Sequence, residues 1–286
     1  MSHHPSNPFD RRELLTMLGA GALAARRAFA AAEPAVRFTA LDHVAIAVSD
    51  VDKSVAFYTR VFGNNVLRNK ETTRRYIKLG SCYVAIAPPA QGQENHRVDH
   101  ICPGVENFDA ANVKGYLQQR GLPFRDSALG PFVTDPDGIQ VQLWKFDSWS
   151  ETVRTAMPES HPINGEPIFR PTGLDHILLD VTDPEKSAVF YEKIFGPVTQ
   201  RNNNRTWFQV GKSRIGLLAV ANGRRPGVNH FCVSAATFDR DAAMKKLEQA
   251  GAKREASENA ADTQFRDPDG ILVQVAGPPQ PAAKKG

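Results

Sequence analysis

The chain has 286 residues, 41% apolar and 23% charged, with a formal net charge of +4 and three cysteines. That length provides for about two ordinary domains, each able to bury a core, and the composition excludes a disordered chain. So mild a positive excess gives no footprint for nucleic acid or an anionic membrane, and three widely spaced cysteines argue against a disulfide framework.

Residues 1–37 read as a leader and flexible start. Arg11-Arg12 precede the apolar run LLTMLGAGALAA, and small residues around Ala28-Phe29-Ala30 follow it. A basic start, about a dozen apolar residues and an A-x-A-like end describe a signal peptide whose run is too short to span a bilayer. The paired arginines resemble a twin-arginine leader. The expected location is therefore periplasmic or secreted, with no membrane span in the mature form. An ordinary amphipathic helix is the other reading of these residues.

The next element, residues 38–147, is the first of two copies of one domain. LDHVAIAVSDVDKSVAFYTRVFG, from Leu41, alternates as a half-buried strand does, then turns into an amphipathic helix that ends at Gly63. TRRYIKLG and CYVAIAP follow as short strands. VDHICPGVENFDAANVKGYLQQRGLPF repeats the strand–helix order, and FVTDPDGIQVQLWK supplies the last strands. Residues 148–170, with their Pro, Ser and Asn, predict a linker. Residues 171–277 then rewrite the first copy, from LDHILLDVTDPEKSAVFYEKIFG to FRDPDGILVQVAG, and 278–286 predict a disordered tail. His43 recurs as His176, His100 as His230 and Gln142 as Gln274, at an offset of about 130 residues. Each copy holds the order strand, helix, three strands twice. The fold class is α+β, with four βαβββ units in two tandem domains.

Period-2 sorting assigns the strand faces. Val44, Ile46 and Val48 share one side of the first strand and predict the face under the helix, which turns His43 to the other side. The same sorting puts His100, His176, His230, Gln142 and Gln274 on the faces away from the large aliphatic residues. On the middle strands Arg74, Tyr76 and Lys78 share a face, as do Arg205, Trp207 and Gln209. Cations beside rings suit a planar or anionic small ligand; a solvated outer face is the alternative. Cys102 and Cys232 fall beside the His residues, as small buried side chains, soft ligands or nucleophiles.

These motifs, above all LDHVAIAVSDVDKSVAFY, LDHILLDVTDPEKSAVFY and the two DPDG strands, resemble the vicinal oxygen chelate superfamily of glyoxalases, bleomycin-resistance proteins and extradiol dioxygenases. The resemblance spans residues 38–277. It implies paired βαβββ units with a site inside the curve of the sheet. In the dioxygenase branch two His and a Glu hold the metal, and the matching positions here are His43, His100 and Gln142, and His176, His230 and Gln274. An amide stands for the carboxylate in both copies, and Phe132 and Gln264 stand where ring-cleaving enzymes carry a tyrosine. Some glyoxalases of the superfamily use a Gln ligand. Such sets would accept Fe, Mn, Zn, Ni or Co without strong discrimination.

The leader implies an exported protein, and the resemblance a small-molecule ligand in a monomer or homodimer. One expectation is a metal-dependent enzyme of dioxygenase, lyase or isomerase type acting on a small oxygenated substrate. The alternative is a metal-free small-molecule binding protein of the bleomycin-resistance type, or a scaffold whose cavity has no role.

Overall fold

The computed structural model describes residues 36–92, 97–161, 165–202, 204–255 and 263–278. The leader expected over 1–37 and the tail expected over 278–286 fall outside them, apart from residues 36, 37 and 278. Among the described residues no helix is long and apolar enough to cross a membrane.

The first half runs β1 (Phe38–Ala47), α1 (Val51–Phe62), β2 (Val66–Asn69), β3 (Arg75–Leu79) and β4 (Cys82–Ala87). It continues with β5 (Arg97–Val105), α2 (Ala110–Gln119), β6 (Phe124–Arg125), β7 (Phe132–Thr134), β8 (Gln140–Gln142) and β9 (Trp144–Lys145). The connection carries α3 (Trp149–Thr155) and β10 (Ala156–Glu159). The second half repeats the order with β11 (Pro171–Val181), α4 (Pro184–Phe195), β12 (Gln200–Asn202), β13 (Arg205–Val210) and β14 (Ser213–Ala219). Its second unit is β15 (Gly227–Ala235), α5 (Arg240–Gln249), β16 (Lys253–Glu255), β17 (Thr263–Arg266) and β18 (Leu272–Ala276).

Local chemistry sets the helix ends. The Asp50 carboxylate accepts from the Lys53 amide at the start of α1, and Asp183 does the same for Glu185 and Lys186 at the start of α4. Gly63 and Gly196 follow their last turns at positive φ. The connection holds more structure than its composition announces: β10 pairs antiparallel with β2 and becomes the edge of the first sheet.

In each half the two units join through their first strands, antiparallel, β1 with β5 and β11 with β15. The sheets run β10-β2-β3-β4-β1-β5-β8-β7-β6, with β9 also on β5, and β12-β13-β14-β11-β15-β18-β17-β16. The helices cover one side of each sheet. Val44, Ile46 and Val48 lie on that side with Tyr58 and Val61, in a single core that also holds Ile177, Leu179 and Tyr191 of the other half. The opposite side of the first sheet has a smaller cluster of its own, including Ala45, Tyr76, Tyr83, Ala85 and Trp149.

The halves are tied together by the DPDG turns. Asp267 Oδ1 accepts from the amides of Asp269 and Ile271, while its Oδ2 accepts from the Tyr58 hydroxyl of α1 at 2.9 Å. Asp135 does the same with Asp137, Ile139 and the Tyr191 hydroxyl of α4 at 3.0 Å. The second acid of each turn reaches the opposite helix start: Asp269 accepts from Ser49 and Ser54, and Asp137 from the Thr182 amide. A carboxylate there also faces the positive end of the helix dipole. Burial pushes the Asp135 carboxyl above its ordinary range and raises Asp267 to about 6. Two glycine turns complete the contact: a Cβ on Gly80 or Gly211 would lie 2.4 or 2.0 Å from the backbone of Thr172 or Thr39 of the other half.

Candidate metal centre

The six sequence-predicted donors gather into two trios, one per half. In the first, His43 Nε2 lies 3.2 Å from His100 Nε2 and 3.2 Å from Gln142 Oε1. In the second, His176 Nε2 lies 3.1 Å from His230 Nε2. All six residues are buried. His43 and His176 come from the central first strands, His100 and His230 from the strands beside them, and the glutamines from β8 and β18, which run parallel to β5 and β15.

Each imidazole is held from behind. Asp42, Asp99 and Asp175 accept from the Nδ1 of His43, His100 and His176 at 2.8, 2.8 and 2.5 Å. Asn229 takes the corresponding place on His230 at 2.8 Å. Its amide nitrogen donates to both oxygens of Asp180, so its Oδ1 is the atom that meets Nδ1. A carboxylate or an amide oxygen only accepts, which puts the proton on Nδ1 of all four rings. Four Nε2 lone pairs therefore point inward, in two facing pairs.

Two lone pairs at this distance repel unless something positive lies between them. Donors sharing one ion at about 2.0–2.1 Å each stand roughly 2.9–3.4 Å apart, so the observed separations fit a shared divalent cation. The backing acceptors are also the partners that metal-binding histidines ordinarily have. Burial lowers the His100 pKa, and burial with His176 and Arg205 nearby pulls His230 down to about 3, keeping both rings neutral. The His176 hydrogen bond, foremost, holds the Asp175 carboxyl down at about 2.

The amides are fixed as well. Gln142 donates its Nε2 to the Leu129 carbonyl, which leaves Oε1 beside His43 Nε2 as a second donor atom for an ion. Gln274 Oε1 accepts from the Gln264 amide at 3.3 Å. Asp42 with Cys102, and Asp175 with Cys232, cluster behind the rings as another candidate donor set. The Asp42 carboxylate there is already engaged by Ser148 and His43, and burial pushes the Cys102 thiol up.

A family model described as the glyoxalase/bleomycin resistance protein/dioxygenase superfamily matches residues 40–143 and 173–275. The chain belongs to that superfamily. It is 26% identical to a lactoylglutathione lyase of Schizosaccharomyces pombe, over 82% of this chain and 95% of that protein. It resembles the crystal structure of a catechol 2,3-dioxygenase at 17% identity and a TM-score of 0.59, covering 87% of this chain and 96% of that one. The Mn(II)-bound glyoxalase from Novosphingobium aromaticivorans superposes with a TM-score of 0.60 at 16% identity, over 85% and 83%. The two structural likenesses establish the fold.

Within this superfamily fold, the other predicted residues separate. Arg74 and Tyr76 line a cavity of about 1160 Å³ on the side of the first sheet opposite the helices. Lys78 does not line it; its ammonium sits 4.8 Å over the Trp149 ring. The cavity wall includes Asp99, Leu129 and Phe132, each of which bonds or packs onto the trio. In the second half the Trp207 ring stands perpendicular to His176, at 5.4 Å between centroids. Arg205 is half-buried and contributes to the field on His230. Gln209 ties its amide to the carbonyls of Gly211 and Ser213 in its own hairpin. Phe132 and Gln264 do stand beside the trios, the Phe132 ring at 80° to His100.

Sequence reasoning missed the residues behind the rings and one stacked on them. The Tyr83 ring lies flat against His43, 4.7 Å between centroids. Its hydroxyl meets the Ser148 hydroxyl at 2.9 Å, and Ser148 donates to Asp42 at 2.5 Å. The recurring Asp-His, Asp-His, Asp-His and Asn-His pairs were the available signal.

Proposed function

We propose that this protein is a metal-dependent enzyme of lyase, isomerase or dioxygenase type that acts on a small oxygenated substrate. His43, His100 and Gln142 would hold a divalent ion in the first half, and His176, His230 and Gln274 in the second. The carrying observation is the pairwise convergence of Nε2 lone pairs on rings whose Nδ1 protons are all committed elsewhere. The ion, when bound, supplies Lewis-acid stabilisation of charge on a substrate oxygen.

The chain's own residues decide the rest. All three donors are neutral, so affinity should be lower than for a set with a carboxylate. Neither trio contains a carboxylate, so the trio itself has no group to take a proton from substrate. Asp99 stays ionised, because the hydrogen bond from His100 holds its carboxyl below the ordinary value, and it serves to orient that ring. Phe132, Tyr76 and the alanines of the cavity wall exclude water from the substrate's apolar part.

The neutral donors also support a second reading, capture of a small molecule without metal. Metal analysis separates the two. Protein purified anaerobically without chelator, then offered Fe(II), Mn(II), Co(II), Ni(II) or Zn(II), should hold up to two equivalents per chain. His43→Ala and His176→Ala should each remove one. Sites that stay empty with all five ions sink the enzyme reading and leave capture. The leader belongs to the same proposal: residues 1–37 direct export, and replacing Arg11 and Arg12 with lysine should retain the protein inside the cell.

A further inference from the structure

The two halves repeat each other residue by residue, yet their site faces are built differently. Strand register makes the correspondence explicit. Behind His43, the residues facing the cavity are Ala45 and Ala85, paired across β1 and β4, with Tyr76 on β3 opposite Ala85. Behind His176 the same places are Leu178 and Gly216, with Trp207 opposite Gly216. The next pair along is Ala47 with Ala87 in the first half, and Asp180 with Leu218 in the second.

The substitution of sizes puts larger side chains in the second site. Trp207 lies so close over Gly216 that a Cβ there would meet the indole at 2.7 Å and the Leu178 side chain at 2.8 Å. The indole nitrogen donates to Asn202 and the Arg214 guanidinium covers the ring at 5.0 Å, so Trp207 is pinned in place. Alanines in the first half leave the space beside Tyr76 open, and that space is part of the cavity. Its charge is one-sided: Lys70, Arg74, Arg97, Arg125 and Arg154 line it, against the acids Glu71 and Asp99. Arg125 lies 4.4 Å over the Phe132 ring, which itself packs on His100, so a guanidinium stands one ring away from the trio.

We propose that the halves have divided their roles. The first half alone receives substrate, and that substrate is a small anion, carboxylate- or phosphate-bearing, with an apolar body. Arg74 and Arg125 bind the anionic group through charge-assisted hydrogen bonds, and Tyr76, Phe132, Ala45 and Ala85 take the apolar part. The second half keeps its trio but has Trp207 and Leu178 where the substrate would lie. The inference rests on the first trio as the reaction centre and names what is brought to it.

The test is calorimetric binding of benzoate, phenyl phosphate and uncharged benzyl alcohol to the full chain, with metal content measured on the same samples. At least one anion should bind at one equivalent per chain, at least tenfold tighter than benzyl alcohol, and which anion does so separates carboxylate from phosphate. Arg74→Ala and Arg125→Ala should each weaken the anion about tenfold or more and leave benzyl alcohol unchanged. Ala45→Leu, copying Leu178, should abolish anion binding, whereas Trp207→Ala should not reduce it. Two equivalents per chain, no preference for charge, no response to the arginine variants, or no binding of either anion overturns the proposal. If the anion results hold while no metal is taken up, this division of roles stands and the metal-enzyme reading falls.

Discussion

Asp267→Asn should stabilise the protein at neutral pH, by an amount the DPDG turn itself sets. Asp267 is 2% exposed, and burial raises its carboxyl from 3.8 to about 6 against the opposing bonds from Ile271, Tyr58 and Asp269. The folded state thus binds this proton more tightly than the unfolded chain does. The associated stability is complete below about 3.8 and is lost as pH rises through about 6. A shift of about two units corresponds to roughly 3 kcal/mol by pH 7. Asparagine keeps Oδ1 for the Ile271 and Asp269 amides, as the protonated acid does, and its Nδ2, like the acid's proton, makes the Tyr58 hydroxyl the acceptor of that contact where it donates to the carboxylate. It carries no charge to desolvate at any pH. Urea unfolding followed by circular dichroism should give coincident stabilities near pH 4, with the variant ahead by about 2–3 kcal/mol at pH 7. Parallel curves, or a variant weaker at pH 7, would refute the reasoning, because the carboxylate would then be stabilised in its ionised form.

The remaining predictions concern the glycine contacts between the halves and the support behind His43. Gly80→Ala and Gly211→Ala should each cost more than about 2 kcal/mol in the same assay, since both residues have positive φ and their Cβ atoms would enter the opposite half's backbone; a loss near zero would mean the halves yield easily there. Ser148→Ala removes the hydroxyl that fixes Asp42 behind His43. Metal affinity of the first half should fall about 10- to 100-fold while the second half is unchanged, with Ser148→Thr restoring part of it. A two-site titration with Zn(II) reads both affinities, and equal losses in both halves would remove Ser148 from a positioning role.

Much of this arrangement was legible in the residues. The repeat, the four βαβββ units and the faces of His43, His100, His176 and His230 follow from alternation and spacing, because a strand facing one core has only two sides to offer. The side on which the backing residues stand was not legible, for a related reason. Strict alternation puts Asp42 opposite His43, yet the strand register skips Asp42, Asp99, Asp175 and Asn229, one bulge before each histidine. A bulge re-aims the side chain, so the neighbour of a ligand turns to the same ring. Period-2 sorting has no means of seeing it. The DPDG motif drew attention as part of a metal strand, whereas its acids serve the opposite half through contacts some 200 residues away in sequence for Asp267 and Tyr58. The difference in filling between Ala45 and Leu178, or Ala85 and Gly216, was written in the sequence but meaningless until the register set these residues side by side.

The reciprocal turns have a consequence for how such a chain varies. Each copy lends an acid pair to the other's helix and receives the same in return, which is the reciprocity of a two-fold dimer. Covalent continuity through residues 148–170 makes the association independent of concentration. It also gives each copy its own codons. In a homodimer any residue that widens one chamber widens both, and any residue that closes one closes both. Here alanine on one side coexists with leucine and tryptophan on the other, so one copy can serve as a fixed support while its twin explores new ligands.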